Sequence, residues 1–207
     1  AVAMGADRIG GHWDAISVEV MEDERAYRSA IGRVQSIFRE LARGAAAKGI
    51  GAIYNEQMYI PSEIPWTLQQ AEEFLLAVNR DREGCPVLLT IDVGHQAGMY
   101  YGLGGPDLDY IEWCRRFGAV SEIIHLQQTT RDASHHWPFT EEYNQRGEIE
   151  IPAILDALEQ SHHEFENSPL AEVLDRVDHS YLIAEIIPGS TKTEEKLLDE
   201  LRVSSEY

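Results

Sequence analysis

Glu56, Asp92, His125 and Glu185 each follow a short apolar run, and Asp92 opens an Asp-x-x-His motif that ends at His95. The runs are Ile50-Gly51-Ala52-Ile53-Tyr54-Asn55, Val87-Leu88-Leu89-Thr90-Ile91, Glu122-Ile123-Ile124 and Tyr181-Leu182-Ile183-Ala184. Such runs, bounded by glycine and proline, read as strands of a parallel sheet, and the run before Asp92 as one buried on both faces. If their polar ends gather on one rim, three carboxylates and one imidazole form a hard-to-borderline donor set. Such a set suits Mn2+, Mg2+ or Co2+ and leaves positions for substrate oxygens. Each residue alone could serve as a cap or a salt-bridge partner. The agreement of successive strand ends argues for a site.

The elements that must position these groups are legible in the spacing. Arg8-Ile9-Gly10-Gly11-His12-Trp13 is a further, glycine-interrupted strand candidate. Glu22, Asp23 and Glu24 open an amphipathic helix with Tyr27, Ile31, Val34, Phe38, Leu41 and Ala45 inward, ended by Gly49. Thr67-Leu68-Gln69-Gln70 has the spacing of a capping box and opens a helix with Leu68, Ala71, Leu75 and Val78 inward. A rim loop from Gln96 to Pro106 leads to a short helix carrying Leu108, Ile111 and Phe117. Its glycines lack the Lys-Ser/Thr ending of a phosphate loop. The polar and aromatic stretch from Gln127 to Phe139 is the longest rim excursion, of a length that usually has a function. Pro152 opens a helix with Ile154, Leu155 and Leu158 inward, and Leu170, Val173, Leu174 and Val177 read as a second helical piece. Leu197, Leu198 and Leu201 mark a last helix.

Strand and helix thus alternate, which predicts an α/β fold with a parallel sheet, and polar strand ends favour a (β/α)8 barrel over an open sheet. We expect residues 1–207 to form a single domain supplying the last five βα units of the barrel. Either the N-terminal strands are missing from this chain or a partner completes the ring. Ala1 to Ala6 reads as a helix end with a glycine stop, as in the C-terminal part of a longer polypeptide.

A net charge of -19 argues against a nucleic-acid or anionic-membrane partner. Cys85 and Cys114 show no CxxC spacing and are expected as free buried thiols of a reducing cytoplasm. No apolar run approaches the roughly 20 residues of a membrane span, so a soluble, cytoplasmic protein, possible as a homo-oligomer, is expected.

Taken together, Glu56, Asp92-x-x-His95, His125 with Arg131 six positions on, and Glu185 resemble the xylose-isomerase-like sugar isomerases and epimerases, in particular the ketose 3-epimerases. The resemblance implies that Glu56, Asp92, His125 and Glu185 hold one divalent metal, Mn2+ foremost, while His95 and Arg131 contact the sugar. Two loops, Glu-x-Met-x-Ile-Pro-Ser-Glu-x-Pro from Glu56 to Pro65 and His-Trp-Pro-Phe-Thr-Glu-Glu-Tyr-Asn from His136 to Asn144, look like those of tetrulose-phosphate 3-epimerases of erythritol catabolism. Where ketose 3-epimerases carry a second substrate-holding glutamate this chain has Ser62, with Glu63 beside it.

The implied reaction inverts C3 of a ketose: Glu56 and Glu185, on opposite faces of the sugar, remove and return the proton through an enediolate. A phosphate on the substrate would need local donors in this acidic chain, for which Arg131, His135, His136 and Lys192 are candidates. An aldose-ketose isomerase would use the same ligands, as would a polyol dehydratase, and a non-catalytic sugar-binding barrel would keep them as relics. A trinuclear zinc DNA-repair nuclease of the same superfamily is disfavoured by the charge and by too few histidines.

Overall fold

The computed structural model describes residues 1–95 and 97–207. Its spine is a five-stranded parallel sheet in sequential order: β1 (Arg8–Gly11), β2 (Ala52–Glu56), β3 (Val87–Asp92), β4 (Ile123–Leu126) and β5 (Tyr181–Ala184). An order that never reverses has no switch point, which distinguishes it from a doubly wound sheet. The sheet is also curled. Arg8 Nε, at the foot of β1, donates to Glu122 Oε2 just before β4 at 2.9 Å, and the Tyr54 hydroxyl of β2 donates to the same carboxylate. A contact that passes over β2 and β3 requires a concave face between them. The expected parallel α/β architecture is therefore present as a half-barrel.

Helices α1 (Val18–Met21), α2 (Glu24–Ala46), α3 (Leu68–Asn79), α4 (Tyr110–Phe117), α5 (Glu141–Asn144), α6 (Ile151–Glu164) and α7 (Glu194–Glu206) fill the connections. α2 lies against β2, α3 and α4 lie against β3, and α6 packs on α4. β3 is the centre of this arrangement, with all six residues buried. Phe38 of α2 meets Phe74 of α3 edge to face at 5.0 Å between ring centroids. Both cysteines are free and buried.

The inward stripes differ from expectation at their margins. Phe38 and Ala45 of α2 and Ile154 and Leu158 of α6 are buried as expected, but Leu41, Leu155 and Leu198 are exposed, and the small residues Ala30, Ala42 and Ala157 are buried in addition. Small residues let the helices approach their neighbours closely: α2 lies on β2, and α6 lies on α4. Leu108 lies in a 3-10 turn before α4 rather than in the helix. The segment read as helical around Leu170 is a 3-10 turn over Pro169–Glu172 followed by irregular chain. Leu170, Leu174 and Val177 are buried all the same, because turns can deliver apolar side chains at helix-like intervals. No helix among the described residues is long and apolar enough to cross a membrane.

Candidate metal centre and active site

Parallel pairing is what brings the rim residues together. Glu56 ends β2 and Asp92 ends β3, with Glu56 in register with Thr90 and Asp92 in register with His125 of β4. Glu185 follows β5 directly, its N–H donating to the Leu126 carbonyl at 2.9 Å. One ligand atom from each of Glu56, Asp92, His125 and Glu185 lies within 4.8 Å of all the others. Oxygen and nitrogen donors gathered this closely could share one divalent ion after small side-chain adjustments.

The electrostatics fit a cation. His125 Nδ1 sits 3.0 Å from Glu56 Oε1 and 3.3 Å from Glu185 Oε2. Burial opposes charge on this ring, but the bonds to Glu185 and Glu56 outweigh it and push the imidazole up to about 10. The same contact with His125 draws Glu185 down to about 2, against the opposing effect of burial. Burial raises Asp92 to about 6, with His95 acting in the other direction. Among the described residues, Glu185 Oε2 is buried without a well-aligned hydrogen bond, its near neighbour being His125 Nδ1 at 3.3 Å. A proton on His125 between two glutamates does in this arrangement what a divalent ion would do once that ring is deprotonated.

A second set of groups orients the first. Gln57 is buried, and its carboxamide pairs with the Asp92 main chain in both directions, accepting from Asp92 N at 2.8 Å and donating to Asp92 O at 3.2 Å. Gln127, fully buried, donates Nε2 to both Asp92 oxygens at 3.0 and 3.1 Å. His12 lies beside Asp14 and Glu63, with Nε2 3.6 and 3.9 Å from their carboxylates. Interaction with Asp14, opposed by burial and reinforced by Glu63 and Glu56, raises its imidazole. None of Gln57, Gln127, His12 and Asp14 stands out by residue type. Three of them, Gln57, Gln127 and His12, follow the end of a strand or of its apolar run closely, and that position was the available signal.

The expected substrate contacts are placed as follows. His95 Nδ1 meets the Gln57 carbonyl at 2.7 Å and Nε2 lies 3.2 Å from Asp92 Oδ2, with Tyr59 packed on the ring. His136 Nδ1 lies 3.2 Å from the Glu185 carbonyl and 3.7 Å from its carboxylate. Glu63 faces His12, while the Ser62 carbonyl accepts from Ile16 N. Arg131 is exposed and paired with Glu148, and Lys192 is bound to Glu200 at 2.6 Å. His135 stacks on Trp137 at 3.8 Å, and burial lowers its imidazole.

No protein-family profile matches the chain. Among solved structures, a protein of Rhodospirillum rubrum ATCC 11170 assigned as a xylose isomerase superposes with a TM-score of 0.76 at 21% identity, covering 99% of this chain and 62% of that one. The 3-keto-D-glucoside 4-epimerase of E. coli superposes at 0.56 and 14% identity, covering 97% and 63%. A D-tagatose 3-epimerase-like protein does so at 0.53 and 17%, covering 98% and 65%. In sequence the chain is similar to D-erythrulose 1-phosphate 3-epimerase of Brucella abortus (strain 2308), 25% identical over 154 residues. That match takes in 74% of this chain and 49% of the relative, so the chain spans about half the length of the curated relative it matches. The resemblance to the sugar isomerases and epimerases, read first from the rim residues, is thus met in both fold and sequence.

Proposed function

We propose that this chain carries the acid/base and metal-binding part of a sugar or sugar-phosphate epimerase that inverts C3 of a ketose, with a tetrulose phosphate as the substrate of choice. The observation that carries the reading is the placement of both Glu56 and Glu185 against one His125 nitrogen, at 3.0 and 3.3 Å, with Asp92 completing the donor set. A divalent cation held by these residues, Mn2+ before Mg2+ or Co2+, would supply Lewis-acid stabilisation to the negative charge that develops on the ketose oxygens.

The remaining steps belong to the chain. One glutamate accepts the C3 proton, and the other delivers a proton to the opposite face of the planar enediolate, which inverts the centre. Glu185, drawn down by its contact with His125, is ionised at neutral pH, the form that both a cation and a proton acceptor require; as a base it would strengthen once a cation displaces the His125 proton that holds it low. His95, wedged between Gln57 and Asp92, holds the Asp92 carboxylate in place and closes that side of the rim. Of the groups considered for a phosphate, Lys192 is held by Glu200 in a largely buried pair, whereas Arg131 makes only an exposed pair with Glu148 that a ligand can displace. We assign the phosphate contact to Arg131 first and to His136 second, whose ring nitrogens already meet the Glu185 carbonyl and Ser134.

Proton NMR in D2O tests the reading, using the full-length protein loaded with Mg2+ and given erythrulose phosphate or free ketoses. Deuterium at C3 with loss of optical purity is expected. Glu56→Gln and Glu185→Gln should each lower kcat by about 10²- to 10⁴-fold while the circular dichroism spectrum stays that of the parent. The fold match to a xylose isomerase favours a second reading, an aldose-ketose isomerase built on the same residues. Label at C1 or C2 with an aldose product would select it.

A further inference from the structure

Gln127 is the buried side chain that joins the proposed metal centre to the rim loop, and its contacts fix which end of its carboxamide points where. Nε2 donates to Asp92 Oδ1 and Oδ2 at 3.0 and 3.1 Å. Oε1 accepts from His136 N at 2.7 Å and from Ser134 Oγ at 3.2 Å. Reversing the amide would set its oxygen against a carboxylate and its NH2 against an N–H, so this orientation is the only one that satisfies both ends. Gly94 makes room for it: a Cβ there would lie 2.0 Å from Gln127 Cδ and 2.5 Å from Nε2. Gly94 N also donates to Asp92 Oδ1 at 2.7 Å. At the other end, the His136 backbone stands at a φ of 52°, a left-handed conformation uncommon outside glycine, and its N–H is tied to Gln127 there.

From these contacts we infer that Gln127 is a positioning residue that sets the Asp92 carboxylate for the metal and, through the same amide, anchors His136 beside Glu185. The inference rests on the metal reading of the site. Its physical basis is general: a carboxylate whose oxygens are already oriented loses less freedom on ligation, and removing such an outer partner typically weakens metal binding by about 10- to 100-fold. A single amide contacting both sides also means that loss of Gln127 should disturb Asp92 and His136 together. Substituting Ser134 removes its contacts with Gln127 Oε1 and His136 Nε2, both on the loop side alone.

The test uses the full-length protein and Mn2+ alone as the probe, with free Mn2+ counted by electron paramagnetic resonance. Gln127→Met keeps the length and removes the hydrogen bonds, and Gly94→Ala displaces Gln127 without altering it. Both are expected to raise the Kd for Mn2+ by about 10- to 100-fold and to change the line shape of the bound ion, while Ser134→Ala shifts Kd by less than about threefold. With substrate, Gln127→Met should lower kcat more than it raises KM. Melting of the metal-free proteins separates this from a packing role: a lowered Tm with Kd and line shape both unchanged would overturn the inference and leave the metal reading standing. Failure of the parent protein to bind Mn2+ would overturn both.

Discussion

Glu122 shows what one side chain can do at the foot of a curled sheet. Its carboxylate takes a hydrogen bond from Arg8 and another from Tyr54. Burial opposes ionisation, but the Arg8 guanidinium and the Tyr54 hydroxyl outweigh it and hold the carboxyl below its ordinary 4.5. Burial and the same carboxylate push the Tyr54 hydroxyl well above the usual tyrosine range, so it remains a donor at neutral pH. The sign follows from linkage. A carboxyl lower in the folded than in the unfolded protein contributes stability that is complete above about 4.5 and fades as the pH falls through the folded value. Glu122→Gln should therefore cost about 1–3 kcal/mol at pH 7 in urea unfolding, by weakening a charged, half-buried pair. It should also flatten the acid limb of the stability profile. An acid limb as steep as that of the parent would assign acid sensitivity to other carboxyl groups. Glu56, Asp92, His125 and Glu185 were legible in the sequence because a polar residue at the end of an apolar run is conspicuous. Glu122 stands at the beginning of such a run, and its partner Arg8 becomes a neighbour only through the curl.

The connection around α3 holds two devices of different visibility. At its start, Thr67 accepts from Gln70 N at 3.1 Å, and Gln70 Oε1 accepts from Trp66 N at 3.0 Å, one residue earlier than in the usual capping box. The Thr-x-x-Gln spacing announced this. At its end, Asn79 is buried and bonds both backbone groups of Val87, each at 2.9 Å, while also donating to the Leu75 carbonyl at 2.9 Å. Asn79 thereby fixes where β3 begins, and hence where Asp92 ends. Nothing in the local pattern marks it, because its partner lies across a loop and the bond is to main chain. Loss of the Thr67 cap in Thr67→Ala should cost about 1 kcal/mol. Asn79→Ala strands buried main-chain groups at the foot of the central strand and should cost roughly 2–4 kcal/mol. Chemical denaturation of the two variants checks the ranking, and equal costs would mean that water takes over the Asn79 bonds. Gly84 belongs to the same connection: a Cβ there would lie 2.4–2.5 Å from the Ala42 and Arg43 backbone of α2, too close for a side chain. The capping box and the strand itself could be read from residue spacing, whereas the α2 contact that demands Gly84 exists only once the helix has docked.

At the scale of the whole molecule, the half-barrel leaves two kinds of surface that a closed ring would cover. β5 is exposed along its four residues and is an edge strand, pairing among the described residues with β4 alone. On the other flank, Val2, Trp13, Ile37 and Leu41 are exposed beside an apolar hollow of about 550 Å³ that Ile9 and Ile53 help to line. Against this attraction stands a net charge of -19, which keeps copies apart. The balance depends on salt, because the screening length falls from about 10 Å at 0.1 M to about 3 Å at 1 M while apolar burial is unaffected by screening. The 207-residue chain should therefore sediment as a monomer in dilute buffer and self-associate as NaCl is raised toward roughly 1 M, where repulsion reaches only about 3 Å. It should also enhance the fluorescence of anilinonaphthalene sulfonate at concentrations where it is monomeric. Leu41→Glu places a charge on the apolar flank and should suppress both effects with little cost to stability, since the leucine is 40% exposed. Association that persists in Leu41→Glu but is abolished by Leu182→Lys on β5 would locate the contact at the strand edge, where backbone pairing rather than the apolar hollow would join the copies.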